Sequence, residues 1–216
     1  MRIGVLGTGT VGTTIGTKLV SLGHEVRVGA RDASNEKAAA WSAELGERAG
    51  HGTFREAAEF GELVFNCTAG VASLEVLEQA GEDALRGKVL VDVANPLDFS
   101  GGFPPTLSVT NTDSLGEQIQ RRFPDVRVVK ALNTMACEVM VDPASVPGEH
   151  VVFACGDDDG AKDEVRSLLA TFGWPRERVV DLGGIDASRG VEMYLPLWLR
   201  LLRAGETRFF NIQIVR

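Results

Sequence analysis

The sequence is sparing in the residues that several familiar chemistries require. Its 216 residues include only three cysteines and three histidines. Cys67, Cys137 and Cys155 are odd in number and show no Cys-x-x-Cys spacing, which argues against a disulfide framework and against a zinc site. No cluster of Lys and Arg offsets a formal net charge of −8, so neither nucleic acid nor an anionic membrane is an expected partner. No apolar run approaches a membrane span, and Met1-Arg2 leads directly into a strand pattern rather than a signal-peptide leader; the cytoplasm is the expected location. Internal repeats, heptads and low-complexity tracts are lacking too. There is no Ser-Tyr-x-x-x-Lys motif and no convincing His–Asp pair, so no side chain is expected to act as a catalytic acid or base, and none as a metal ligand.

What is present suits a folded enzyme. Hydrophobic residues make up 44% and charged ones 24%, in a length that fits one large α/β domain or one domain with a small lobe. Arg2–Leu6 reads as a strand, after which Val11, Ile15, Leu19 and Leu22 repeat at helical spacing up to Gly23. Strand character returns at Glu25–Val28, Leu63–Cys67, Lys88–Ala94 and Val126–Ala131, with helices expected over Asn35–Leu45, Phe54–Phe60 and Ser114–Phe123. This alternation predicts an α/β fold in which residues 1–134 form a Rossmann-type, doubly wound, mostly parallel sheet. Residues 135–216 hold a second strand–helix–strand set, Val151–Cys155, Asp159–Phe172 and Arg178–Leu182. That set either extends the sheet or forms a small α/β C-terminal lobe on the acceptor side. Glu192–Arg203 reads as a packed helix despite Pro196, and Arg208–Val215 shows partial strand alternation. The stretch from Asn95 to Asp113 is longer than compact domains usually carry without a function, and is a candidate substrate-side loop.

Gly7-Thr8-Gly9-Thr10-Val11-Gly12 falls where a strand ends and a helix begins, the context in which Gly-x-Gly-x-x-Gly becomes specific. Gly7 serves the tight turn, Gly9 lets the backbone approach a pyrophosphate, and Gly12 permits close helix–strand packing. The free N–H groups of the helix N-terminus face the phosphates, and Thr8 and Thr10 can add hydroxyl contacts. The second strand then indicates which dinucleotide. A site selective for NAD ends that strand with Asp or Glu for the ribose hydroxyl, but here it runs into Gly29-Ala30-Arg31. Arg31 fits a 2′-phosphate through paired hydrogen bonds, and Lys37 offers a second charge, so NADP(H) is the expected cofactor. Asp32, one residue on, is the alternative ribose ligand.

These residues resemble a known family, the NADP-dependent oxidoreductases of the deazaflavin coenzyme F420, which are similar in turn to the cytosolic reductase domains of the membrane metalloreductases. The pieces that carry the resemblance are the glycine loop, Gly23-His24-Glu25-Val26 running to Gly29-Ala30-Arg31, Asp92-Val93-Ala94-Asn95-Pro96-Leu97, Lys130-Ala131-Leu132-Asn133-Thr134, and Cys155-Gly156-Asp157-Asp158. The resemblance implies that the glycine loop holds the pyrophosphate and that a hydroxyl–Arg pair holds the 2′-phosphate. This chain departs from the pattern at Ala30, which removes one expected hydrogen bond and keeps the Arg31 charge. It further implies that Thr68-Ala69, Asn95-Pro96 and Asn133-Thr134 line the nicotinamide half of the cleft. An acceptor ring is expected over the nicotinamide against Asn133, Thr134 and Met135, with Leu195, Pro196 and part of the Asn95–Pro105 loop closing the other side.

Hydride exchange between a nicotinamide and a deazaflavin, or a flavin, asks the protein chiefly for geometry, because the two cofactors carry the reaction. The donor and acceptor carbons must sit roughly 3–3.5 Å apart with water excluded. A homodimer is the expected assembly if the apolar segment Leu195–Leu202 is an interface helix. Two other readings compete. A β-hydroxyacid-type dehydrogenase shares the glycine loop but needs a long helical C-terminal domain with a catalytic lysine, and Lys130 lies within a strand. An NADP-binding regulatory module would keep the fold without turnover. Cys67 and Cys137 read as small apolar fillers, His24, His51 and His150 as ordinary structural side chains, and Asp157-Asp158-Asp159 as a helix start.

Overall fold

The computed structural model describes residues 1–205 and 207–215. The glycine loop joins β1 (Arg2–Leu6) to α1 (Thr10–Ser21), and β2 (Glu25–Ala30), α2 (Glu36–Leu45), β3 (Ala49–Thr53) and α3 (Phe54–Phe60) complete the first half. The second half begins with β4 (Leu63–Asn66), α4 (Ser73–Ala80), α5 (Glu82–Leu85) and β5 (Val89–Asp92). A loop holding the two-residue strands β6 (Leu97–Asp98) and β7 (Thr106–Leu107) leads to α6 (Leu115–Arg122) and β8 (Arg127–Ala131). The remainder is α7 (Cys137–Val141), β9 (Val152–Cys155), α8 (Asp159–Phe172), β10 (Val179–Asp181), α9 (Ser188–Met193) and α10 (Leu195–Gly205).

Eight strands form one sheet in the order β10-β9-β8-β5-β4-β1-β2-β3. The six from β3 to β8 are parallel, and β9 joins β8 antiparallel, with Lys130 opposite Cys155. The chain winds outward from β1 to β3, then crosses back to β4 beside β1. The sheet is thus doubly wound with its switch point between β1 and β4, and its carboxyl ends open there into a crevice where such folds bind ligands. The strand–helix–strand set after residue 135 extends the same sheet through β9 and β10.

The parallel strands are apolar on both faces because helices cover both. Val64, Leu90 and Val128 enter one core cluster, while their neighbours Phe65, Val91 and Val129 enter the other. The two-residue period of the pleat divides the side chains in this way, and it explains why β4 and β5 read as continuous apolar runs.

Several elements differ from the sequence reading. The edge strand β3, Ala-Gly-His-Gly-Thr, has Thr53 as its one β-branched residue and no Val, Ile, Phe, Tyr or Trp, and pairing with β2 makes it a strand. Helix α4 carries no side-chain cap to announce it. The single helix expected over Glu192–Arg203 is two, α9 and α10, and Pro196 falls in the first turn of α10, where its missing N–H leaves no bond unmade. The partial alternation of Arg208–Val215 does not produce a strand. Ile212 O accepts from Val151 N at 2.9 Å, but the side-chain amide of Asn211 takes Val151 O at 2.9 Å, the acceptor a ladder would need for a backbone N–H.

Candidate functional site

The glycine loop takes the shape its spacing predicts, and each glycine has a separate physical reason. Gly7 has φ +115°, a conformation that side chains resist, and its N–H donates to Gly29 O at 3.0 Å. A Cβ on Gly12 would meet Gly7 O at 2.2 Å, so the helix can approach the loop only without one. Gly9 differs from both. Its φ of −77° and ψ of 177° suit any residue, and a Cβ there would meet nothing within 4 Å. Neither backbone nor packing explains a glycine at that position; open space in front of α1 does. The first turn of α1 has no side-chain cap and no acidic residue, so its leading N–H groups are free to receive an anion. Loop and helix together fit a dinucleotide pyrophosphate.

At the end of β2, Ala30 is buried at 4% exposure while Arg31 and Lys37 are exposed. The nearest acid to Arg31 is Glu75, at 4.0 Å. Asp32 is engaged locally: its Oδ1 accepts from Ser34 N and Ser34 Oγ, both at 2.8 Å. Those two bonds, the backbone one foremost, hold the Asp32 carboxyl below the usual range. The Arg31 guanidinium is therefore the charge that the turn presents.

Across the switch point, a cleft of about 360 Å³ opens between α1, the ends of β4, β5 and β8, and α10. It brings together Val11, Thr68, Ala69, Asn95, Asn133, Met135 and Leu195 from among the expected residues. Pro96 is buried beside it, and Gly70 packs so closely that a Cβ would meet Asn95 O at 2.0 Å. Thr134 lies beneath the cleft at 1% exposure, and Pro196 is exposed and outside the lining. Cys67, read from the sequence as an apolar filler, also lines it, as do Met140 and Trp198, which the sequence did not single out. Trp198 stacks on Phe210 with ring centroids 5.5 Å apart. Nothing in the local pattern around Trp198 separates a lining residue from a core one, because both occupy an apolar helix face.

The two asparagines hold each other. Asn95 Nδ2 donates to Asn133 O at 2.8 Å, and Asn133 Nδ2 donates to Asn95 Oδ1 at 2.9 Å and to Val191 O at 3.2 Å. Among the described residues, Cys67 is the one ionisable side chain in the cleft lining, and burial pushes its thiol pKa far up. The other singled-out residues serve structure. His150 Nε2 lies 2.9 Å from Pro143 O and 3.2 Å from Val146 O, while Asn211 Nδ2 donates to its Nδ1 at 2.9 Å. Asp158 caps α8 through Ala161 N, and Asp157 accepts from Ile185 N. No group of three or more potential ligand side chains comes together for a metal, and no helix is long and apolar enough to cross a membrane, among the described residues.

Fold and glycine loop together define a Rossmann-type protein whose switch point has a shape that fits a dinucleotide. A family model described as "NADP oxidoreductase coenzyme F420-dependent" matches residues 2–96. A crystal structure assigned as a candidate F420-dependent NADP-reductase from Arthrobacter sp. FB24 is 49% identical, with a TM-score of 0.94 over 100% of both chains. The F420-dependent NADP reductase of Methanothermobacter marburgensis is 29% identical over 99% of this chain and 98% of its own. Metalloreductase STEAP3 of Rattus norvegicus is also 29% identical, over 91% of this chain but 38% of the rat protein. The chain belongs to the F420-dependent NADP oxidoreductase family.

Proposed function

We propose that this chain exchanges a hydride between NADP(H), laid along the glycine loop, and a deazaflavin of the F420 type seated in the apolar cleft. One observation carries the reading: the open side of Gly9 and the cleft lie at the same switch point, and among the described residues the cleft lining offers no side chain suited to acid–base work at neutral pH. The nicotinamide and the deazaflavin supply the hydride chemistry when bound.

The protein supplies position. Gly7 and Gly12 shape the loop, while Gly9 and the first turn of α1 leave room and N–H groups for the pyrophosphate, flanked by Thr8, Thr10 and Val11. Arg31, with Lys37 as a second charge, takes the 2′-phosphate beside the buried methyl of Ala30. Thr68, Ala69, Asn95, Pro96, Asn133 and Thr134 build the nicotinamide end. Met135, Leu195 and Trp198 form an apolar wall suited to a planar ring, and Pro196 sits in the first turn of the helix that carries two of them. The matches to F420-dependent NADP reductases support a deazaflavin over a flavin.

The test is NADPH and NADH oxidation by the purified protein, with coenzyme F420, FMN and riboflavin offered in turn. Turnover is expected with NADPH and F420. Arg31→Ala is expected to raise KM for NADPH by about tenfold or more while leaving KM for NADH nearly unchanged. Turnover with FMN alone would reassign the acceptor, and no turnover with any of the three would end the reductase reading.

A further inference from the structure

Behind the cleft lies a set of charges that the proposed reaction does not use. Lys130 Nζ, fully buried, stands 2.8 Å from Asp92 Oδ2 and 2.7 Å from Glu192 Oε1, and donates to Ala94 O at 2.6 Å. Asp92 and Glu192 are equally buried. Burial alone would lower the Lys130 pKa, but the two carboxylates outweigh it and hold the ammonium above the ordinary lysine value. Every carboxylate oxygen of the set has at least one partner. Glu192 accepts from Leu115 N at 2.9 Å and Gly116 N at 3.1 Å, and Asp92 Oδ1 accepts from Asn66 Nδ2 at 2.8 Å and Ala94 N at 3.2 Å.

Such a triad is a poor source of stability, since well-packed apolar groups of the same volume often do as well or better. Its connections show what else it does. From Asp92 the bonds run through Asn66 to Thr68, whose Oγ1 donates to Asn66 Oδ1 at 2.7 Å. From Lys130 they reach the carbonyl of Ala94, directly before Asn95. From Glu192 they pass to its neighbour Val191, whose carbonyl receives Asn133 Nδ2. All three loop ends at the nicotinamide side of the cleft therefore terminate on one buried cluster.

The backbone supplies an independent sign of the same constraint. Leu132, 1% exposed, has φ +66°, a left-handed conformation that non-glycine residues resist. That turn directs Asn133 toward Asn95, and it persists because Asn95 and Val191 hold the Asn133 amide.

We infer that Lys130, Asp92 and Glu192 are positioning residues for the nicotinamide end of the site, fixing the Thr68, Asn95 and Asn133 loops to one another and to α9. The inference rests on the proposed placement of NADP(H). The triad is not a proton path, because the Asn66 amide stands between Asp92 and Thr68 and hands on no proton.

The test compares Glu192→Gln with the charge-free triple exchange Asp92→Asn/Lys130→Met/Glu192→Gln. Three quantities are read: melting temperature, affinity for adenosine 2′,5′-bisphosphate, which fills only the adenosine end, and kcat for NADPH with F420. A fall in kcat of about tenfold or more, with bisphosphate affinity held within about twofold, is expected in both. Unchanged kcat in a folded variant overturns the inference, and so does an equal loss of bisphosphate affinity, which marks general loosening. If neither variant folds, the triad serves stability and the inference falls. The parent is measured first: a parent without NADPH binding or turnover defeats the functional reading, whereas an active parent matched by its variants defeats this inference alone.

Discussion

At the residue scale, Gly9 separates a binding requirement from a folding one. Alanine there fits the backbone and touches nothing, and removing a glycine from the unfolded chain stabilises by about 0.4–1 kcal/mol. Against this, alanine is a poorer N-cap than glycine by a comparable amount. The two nearly cancel, so Gly9→Ala is expected to melt within a few degrees of the parent while binding NADPH about tenfold or more weakly, since its methyl projects into the space before α1. Calorimetric titration beside a thermal melt checks both halves; unchanged affinity would remove the pyrophosphate from this loop. The shape of the glycine loop and the position of Arg31 at the end of β2 were legible in the sequence because local geometry dictates them. Asp32 was not, since only the turn shows that its carboxylate is bound by Ser34.

At the element scale, α6 shows how a helix start is fixed electrostatically. Asp113 precedes the Ser114 cap and accepts from Arg121 at 2.8 and 3.0 Å and from Gln118 at 3.0 Å. The Arg121 bonds, foremost, lower its pKa from the ordinary 3.8 to about 2. A depressed carboxylate contributes stability that is present above the unfolded value and is lost as pH falls through about 2. Asp113→Asn is therefore expected to cost no more than about 1 kcal/mol near neutral pH, since Arg121 is exposed and solvent screens the pair. The cost should vanish toward pH 2 in denaturant titrations; a cost that grew with acidity would refute the assignment. Elements with strong local signals, such as α1 and the apolar strands, were readable before the structure. Those that depend on partners were not: β3 exists by pairing with β2, and Asn211 competes away the strand that the alternation at Phe210, Ile212 and Ile214 implied.

At the scale of the whole molecule, one sheet carries both the glycine loop and the cleft, and β9 and β10 extend it beyond the parallel strands. The sequence showed where strands end, and hence where a ligand crevice opens. It could not show that Asn66, Asp92 and Lys130, each a polar residue near the end of an apolar strand, meet in one cluster with a glutamate from α9, because that meeting depends on strand order and on the return of the chain after β10. In the function proposed above, the two cofactors meet for direct hydride transfer. That transfer is tested most directly by reducing F420 with NADPH that carries deuterium at the transferred position of its nicotinamide, in ordinary water. The deuterium is expected on the acceptor carbon of the reduced deazaflavin. Solvent hydrogen at that carbon would contradict direct transfer.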